Sequence, residues 1–382
     1  MIRTLTYHDI DPQQWSELVQ SSTTATWFQT DEAYEFFASN PEEMTPFAVG
    51  VVELEVKGER LEAKGEENGE TDTPSLKGVI VGYVTKERNA IKQFFTRRAI
   101  IYGGPLLAED ISNEALNALL SAVKSMPYSL IACGVPEKST DFWGALSPHR
   151  PNWRIAPIYI ETRNFHDYSK WKSIFEANGF MYQSHLNYHV GTTTIDLAQS
   201  NIGKHRWKYI RLSMRDGAKI VENPTIEQVR AFYSILQDLY HTKVRTPLWS
   251  WEFFEQLYRV QHAKYILVEL DGKIVGGTAC VCLPGKAVYE WYACGLDNCR
   301  DDIRPLSVAI WGEMQYAAEN GYPLFDFMGA GKPDEPYGVR DFKAEFGGEL
   351  VEHGRFLCIR KPLLYKIGTL GVKWLKKRKC FC

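Results

Sequence analysis

The residue best placed to do chemistry in this chain is a lysine set beside an apolar helical stripe. It lies in FDFMGAGKPDEPYGVRDFKAEFGG, residues 325–348. That composition predicts a strand, a glycine-bearing loop, a short helix and a glycine stop. A helix over about residues 337–346 turns roughly 100° per residue, which puts Val339, Phe342 and Phe346 on one apolar side. Arg340, Asp341 and Glu345 point elsewhere, as a solvated face should. Lys343 projects at the edge of the apolar stripe, about 40° from Val339. Its stem can cover apolar surface while the ammonium reaches water. Alternatively the ammonium is held in a cleft, where low dielectric strengthens its hold on a developing negative charge.

Other residue sets carry a chemical and a bland reading side by side. Arg245 and Trp249 lie four apart in HTKVRTPLWSW, a connector between two predicted helices. Arg245 suits bidentate binding of a carboxylate or phosphate, or is a surface arginine. In YEWY, strand alternation puts Tyr289 and Trp291 on one face and Glu290 and Tyr292 on the other. One face belongs to the core and the other can wall a groove. The segment KHRWKYIRLSMRDGAK interleaves cations with Trp207 and Tyr209, a pattern for phosphates or RNA. Its alternative is a solvated helix face with Trp207, Ile210 and Met214 packing inward. Cys280 and Cys282, like Cys294 and Cys299, lack zinc-knuckle spacing and read as buried thiols. His185 and His189 fall in a β-rich stretch, and no metal site is assigned. GAGK is no phosphate loop, because Asp326 and Pro333 stand where that motif needs Gly and Ser or Thr.

The elements that must position these residues come in two similar runs. With 382 residues, 45% hydrophobic and 13% aromatic, the chain can bury two cores. A net charge of −3 restricts any polyanion contact to local patches. The first half reads as strand 2–7, helices 11–20 and 30–39, strands 47–54, 76–85 and 99–107, helix 113–124, strand 129–135, helix 169–178 and strand 182–190. An acidic, glycine-bearing stretch over about 55–75 reads as a mobile exposed loop. The second half gives strand 192–197, basic helix 204–215, a short strand 218–222, and helices 226–241 and 250–260. A meander follows over 265–270, 273–283 and 287–294, its first turn marked by Asp271-Gly272. Helix 306–320, strand 324–328, the Lys343 helix and strand 349–359 complete it. The expected organisation is a first domain over 1–190, a second over 191–359 and a basic amphipathic tail over 360–382.

From Arg360 onward the sequence holds lysine and arginine and no acidic residue. Leu364, Ile367, Leu370, Trp374 and Leu375 recur there at helical spacing, which suits an anionic membrane surface. The expectation is a peripheral contact with the inner face of the cytoplasmic membrane. The N-terminus shows no apolar signal region, and no apolar run is long enough to span a bilayer, so the sequence predicts a cytoplasmic location with free thiols.

The mixed α/β order, used twice, resembles two tandem domains of the GNAT N-acyltransferase fold. In acetyl-CoA enzymes of that type, a glycine loop before the helix that follows the meander binds pyrophosphate. Here CRDDIRPLSVAIWGEM occupies the place, with Pro305, bulky residues and two aspartates, which disfavours an acyl-CoA donor. The stretch FDFMG, a loop, then GVRDFKAEFGGELVEHGRF resembles the FemABX aminoacyltransferases that build peptidoglycan bridges. Their pattern is Asp-Phe-x-Gly, a loop, Phe-Lys-x-x-Phe-Gly and a strand ending in glycine. The resemblance implies transfer of an amino acid from aminoacyl-tRNA, a co-substrate, to the stem-peptide amine of a lipid-linked or UDP-linked muropeptide. No bound cofactor is implied. Lys343 and Phe342 would lie at the transfer centre, Lys343 steadying the oxyanion. Arg245 would hold the precursor's phosphates, Trp249 would stand where an aromatic partner is expected, and Tyr289 and Trp291 would line the groove wall. In YGGPLLAED the family's aspartate position is Ala108, so Glu109 or Asp110 would have to substitute. Two other readings stay open: an N-acyltransferase using acyl-CoA or another acyl donor on an envelope polysaccharide or small amine, and a non-catalytic protein that binds an envelope precursor.

Overall fold

The computed structural model describes residues 1–54, 74–86, 96–126, 156–297 and 299–378. The strand expected over 129–135 lies outside them, as does the acidic loop save for its last two residues. The chain divides into two compact units, Met1–Gln183 with Arg355–Cys382, and Ser184–Gly354.

In the first unit β1 (Ile2–Thr6), β2 (Met44–Glu53), β3 (Ser75–Thr85) and β4 (Ala99–Gly103) form an antiparallel meander. Helices α1 (Pro12–Ser21) and α2 (Asp31–Ala38) connect β1 to β2, α1 starting at an Asp11 cap that accepts from two backbone amides. The two-residue β5 (Leu106–Leu107) pairs with β3, and α3 (Asn113–Ser125) follows. Next come β6 (Tyr159–Asn164), parallel to β4, α4 (Lys172–Ala177) and β7 (Met181–Gln183). Between β6 and β7 lies β15 (Arg355–Ile359), which enters from far down the chain and pairs antiparallel with both. The core gathers Phe47, Ile80, Leu116, Leu119, Phe175 and Phe356.

The second unit repeats this plan. β8 (Leu186–Gly191), α5 (Ile195–Asn201) and α6 (Lys204–Arg215) open it. The meander is β9 (Lys219–Val221), β10 (Ala263–Leu270), β11 (Lys273–Leu283) and β12 (Ala287–Gly295), with α7 (Ile226–Leu239) and α8 (Trp251–Tyr258) between its first two strands. The helix α9 (Pro305–Glu319) leads to β13 (Leu324–Asp326), parallel to β12; then come α10 (Gly338–Ala344) and β14 (Glu349–Glu352). Here β8 fills the place between β13 and β14 that β15 fills in the first sheet. The fold class read from the sequence is therefore found: mixed α/β sheets of one topology, used twice.

Local differences from the sequence reading have local causes. The stretch 182–190 is two strands in two sheets, and so is 349–359, which parts at Gly354. Residues 355–359 thus belong with the first unit rather than the second. The strand expected over 192–197 is largely helix, because the Thr194 hydroxyl accepts from Leu197 N at 3.1 Å and caps α5. On α6, Ile210 and Ser213 face inward, Trp207 packs edge-on against Trp311 and Met214 is exposed.

Candidate functional site in the second unit

The site begins where two parallel strands part. β12 and β13 pair only over Ala287–Tyr289 and Leu324–Asp326. Glu290 is the first β12 residue past the pairing. On the other side the chain turns through Phe327, Met328 and Gly329, with Met328 in the left-handed region at φ 55°. A non-glycine residue there is strained and must be held. Asp326 accepts from Met328 N at 2.5 Å, and Asn187 Oδ1 accepts from Gly329 N at 2.7 Å. The turn's carbonyls are held by Lys343, whose Nζ donates to Phe327 O at 2.6 Å and Gly329 O at 3.0 Å. Backbone donors are thus clamped from one side and acceptors from the other. The two motif halves, DFMG and FKAEFG, act on the same three-residue turn.

Lys343 is neither snorkelling nor free. Its side chain is 11% exposed and forms an ion pair with Glu290, itself 5% exposed, at 3.4 Å. Its Nζ also lies 5.0 Å from the Phe327 ring centroid. Burial pushes the Glu290 carboxyl up, with Lys343 opposing the rise. Behind it, Glu313 of α9 is fully buried. Among the described residues neither Glu313 oxygen meets a partner at hydrogen-bonding geometry, although the Thr278 hydroxyl and Cys280 thiol adjoin it. Burial and the neighbouring Glu290 hold Glu313 well above the usual carboxylate range. Asp326 goes the other way. Burial alone would raise it, but bonds from His189 at 3.0 Å and Asn187 at 2.6 Å outweigh burial and hold it low. The same pairing raises His189 against its own burial.

Phe342 borders a pocket of about 440 Å³ between the end of β12 and the first turn of α9, lined also by Arg206, Leu296, Asp297, Arg304 and Ser307. The Arg206 guanidinium stacks 4.7 Å from the Phe342 ring centroid, donates to Ser307 Oγ at 2.9 Å and pairs with Glu345. The stripe expected on α10 is only partly present: Phe346 is buried, while Val339 is exposed.

The remaining expected residues fall into separate places. Trp249 and Trp291 meet through Phe253, with ring centroids 5.7 and 5.3 Å away. The alternation expected in YEWY is broken. Ala279 pairs with Tyr292 and Cys280 with Glu290, so Trp291 is the extra residue of a bulge. Tyr289, before the bulge, is core at 1% exposure rather than groove wall, and past the bulge Tyr292 joins the aromatic cluster at 6.1 Å from Phe253. Arg245 is exposed at φ 56° and donates from Nε to Thr242 O within its own turn. Asp110 lies in the first unit, paired with Lys77 at 2.5 Å. The sequence reading missed Glu290, Glu313, Asp326, His189 and Arg206 as site residues. Asp326 had a signal, its place at the head of the DFMG motif.

Comparison with known proteins decides the domain type. Residues 204–343 match the family described as Acetyltransferase (GNAT) domain. The second unit carries a GNAT domain. Its match ends on Lys343 and spans the parting strands, the α9 pocket and the clamped turn. The crystal structure of FemX superposes on the whole chain with TM-score 0.63 and 15% identity, covering 96% of this chain and 99% of its own. The structure of L-PGS from Bacillus licheniformis gives TM-score 0.51 and 12% identity, covering 94% and 96%. No curated protein sequence matches the chain. The GNAT domain and these two likenesses give the chain an acyltransferase fold along its whole length, in agreement with the motif resemblance to FemABX. Among the described residues no helix is long and apolar enough to cross a membrane.

Proposed function

We propose that the protein is an aminoacyltransferase of the FemABX type. It moves an aminoacyl group from charged tRNA to the stem-peptide amine of a peptidoglycan precursor, working at the inner face of the membrane that carries lipid-linked acceptors. The observation that carries this reading is Lys343, which pins the DFMG turn at the parting of β12 and β13. In the reaction the amine attacks the ester carbonyl carbon, and the carbonyl oxygen gains negative charge. The bond to the ribose oxygen then breaks. The amine sheds one proton and the ribose oxygen gains one. Two Lys343 N–H groups are spent on carbonyls, and among the described residues the third has the 3.4 Å contact with Glu290 alone. An oxyanion can take that third donor, a gain of about 3 kcal/mol for a well-placed donor in a dry site.

A second reading uses acyl-CoA. It is favoured by the GNAT match and by the pocket at the start of α9. Pro305 offers no N–H to a pyrophosphate at the start of α9, and Asp297 and Asp301 offset the charge of Arg206 and Arg304 in the lining.

The test supplies purified protein with charged tRNA or with acetyl-CoA, and a UDP-linked muropeptide, and follows label into the acceptor. Label from charged tRNA is expected; label from acetyl-CoA alone overturns the reading. Lys343→Met should cut transfer by about 100-fold or more. Because it strands a buried carboxylate, it should also cost about 3 kcal/mol of stability. Lys343→Met/Glu290→Gln should regain stability without regaining transfer. Transfer that survives in that double variant would make Lys343 purely structural.

A further inference from the structure

The last helix, α11 (Pro362–Arg378), presents an apolar face that no described residue covers. Leu363, Ile367 and Leu370 are 78, 56 and 66% exposed. At roughly 100° per residue they fall within an arc of about 60°. Tyr365 projects from the opposite side and packs edge-on against Tyr159 of β6, ring centroids 5.5 Å apart. The helix is therefore fixed to its own unit by one face and offers the other outward. Lys366 lies about 40° from Leu370 on the helical projection, at the flank of the exposed stripe. The sequence beyond adds Lys373, Lys376, Lys377, Arg378 and Lys379 with Trp374, and no acidic residue.

We propose that α11 lies flat on an anionic phospholipid surface, its aliphatic stripe entering the headgroup–acyl boundary and its cations meeting lipid phosphates. The pairing of stripe and charge selects the occupant. An RNA backbone would use the lysines and leave three exposed aliphatics in water. A protein partner covering the stripe would need an acidic counter-surface. An anionic bilayer satisfies both at once. The proposal deepens the functional reading, which has a membrane-borne acceptor, but the contact needs neither donor nor acceptor.

The full chain is mixed with vesicles of phosphatidylcholine alone, or of phosphatidylcholine and phosphatidylglycerol in equal parts, and sedimented at low and high salt. Sedimentation with the anionic vesicles is expected, falling as salt screens the lysines. Lys366→Gln/Lys373→Gln should weaken binding about 25-fold, from about fivefold per cation near the surface. Leu363→Ser/Ile367→Ser/Leu370→Ser should weaken it about tenfold or more. An unaltered thermal melt confirms that both variants fold. The proposal is overturned if neither vesicle type binds, if both bind equally, or if either variant binds as well as the parent. It is also overturned if the stripe variant abolishes self-association seen by gel filtration while the parent ignores vesicles, or if tRNA and not lipid retains the chain. Failure here leaves the transfer assay standing, since that assay uses a soluble acceptor.

Discussion

Glu313 is a carboxyl packed between α9, β11 and β12 beside Glu290, and among the described residues it has no counter-charge in contact, the nearby Lys343 pairing with Glu290 instead. Its folded pKa lies above the ordinary 4.5, so folding favours its protonated form. The stability this brings is complete below the unfolded pKa and is lost as pH climbs toward the folded one. Glu313→Gln carries no charge at any pH and escapes that loss. Urea midpoints should therefore coincide near pH 4 and separate in favour of the variant above it, by at most about 1.4 kcal/mol per pH unit. Parallel midpoints across that range would mean that Glu313 ionises as readily folded as unfolded. Glu161 works in the opposite sense. Burial opposes its ionisation, but Arg163 and Arg355 overcome that and hold it at about 2. Its contribution is present above the unfolded pKa and fades as pH falls through the folded one. Lys343 was legible in the sequence because its motif is local. Glu290 and Glu313 were not, because only the packing of α9 against β11 and β12, and the reach of Lys343 from α10 to Glu290, brings these groups together.

The turns around the site have space requirements that a sequence pattern hides. Gly347 and Gly285 have nearly the same left-handed φ, 77° and 70°. A methyl on Gly285 would meet nothing, whereas one on Gly347 would stand 2.2 Å from Asn201 O. Gly285→Ala should cost only the conformational term, about 1 kcal/mol. Gly347→Ala must also move the end of α5 away from α10, so several times that loss is expected, read as the shift in urea midpoint. Equal losses would show that the α5–α10 approach is slack. The doubled glycine after Phe346 was visible as a stop signal, but the close approach of α5 was not. The bulge at Trp291 is a similar case. Alternation gives each side chain's face only while the register holds, and one inserted residue on β12 put Tyr292 with Trp291 on the aromatic side.

Over the whole chain, the first sheet takes β15 from beyond the second unit, while the second sheet is built from one continuous segment. Extended runs 182–190 and 349–359 look continuous in sequence because both halves are strand, and pairing partners leave no local mark. The halves nevertheless divide cleanly, since Arg355 pairs with Gln183 and Glu352 with Leu186. Ser184–Gly354 thus contains every strand of the second sheet and should fold alone, with cooperative unfolding and near-ultraviolet dichroism from its buried aromatics. Met1–Gln183 alone lacks β15, and with it Phe356, which stacks on Phe175 at 4.1 Å within the core. That fragment should lose cooperative unfolding, because β7 has no partner and the core an open side. Replacing Ser184–Gly354 by an Asn-Gly turn would join Gln183 to Arg355 as a two-residue hairpin and restore the missing strand. Cooperative melting is expected to return in that shortened chain. If the bare 1–183 fragment melts as sharply as the joined one, β15 is an ornament on the first sheet rather than part of it, and the pairing of Gln183 with Arg355 carries no folding information.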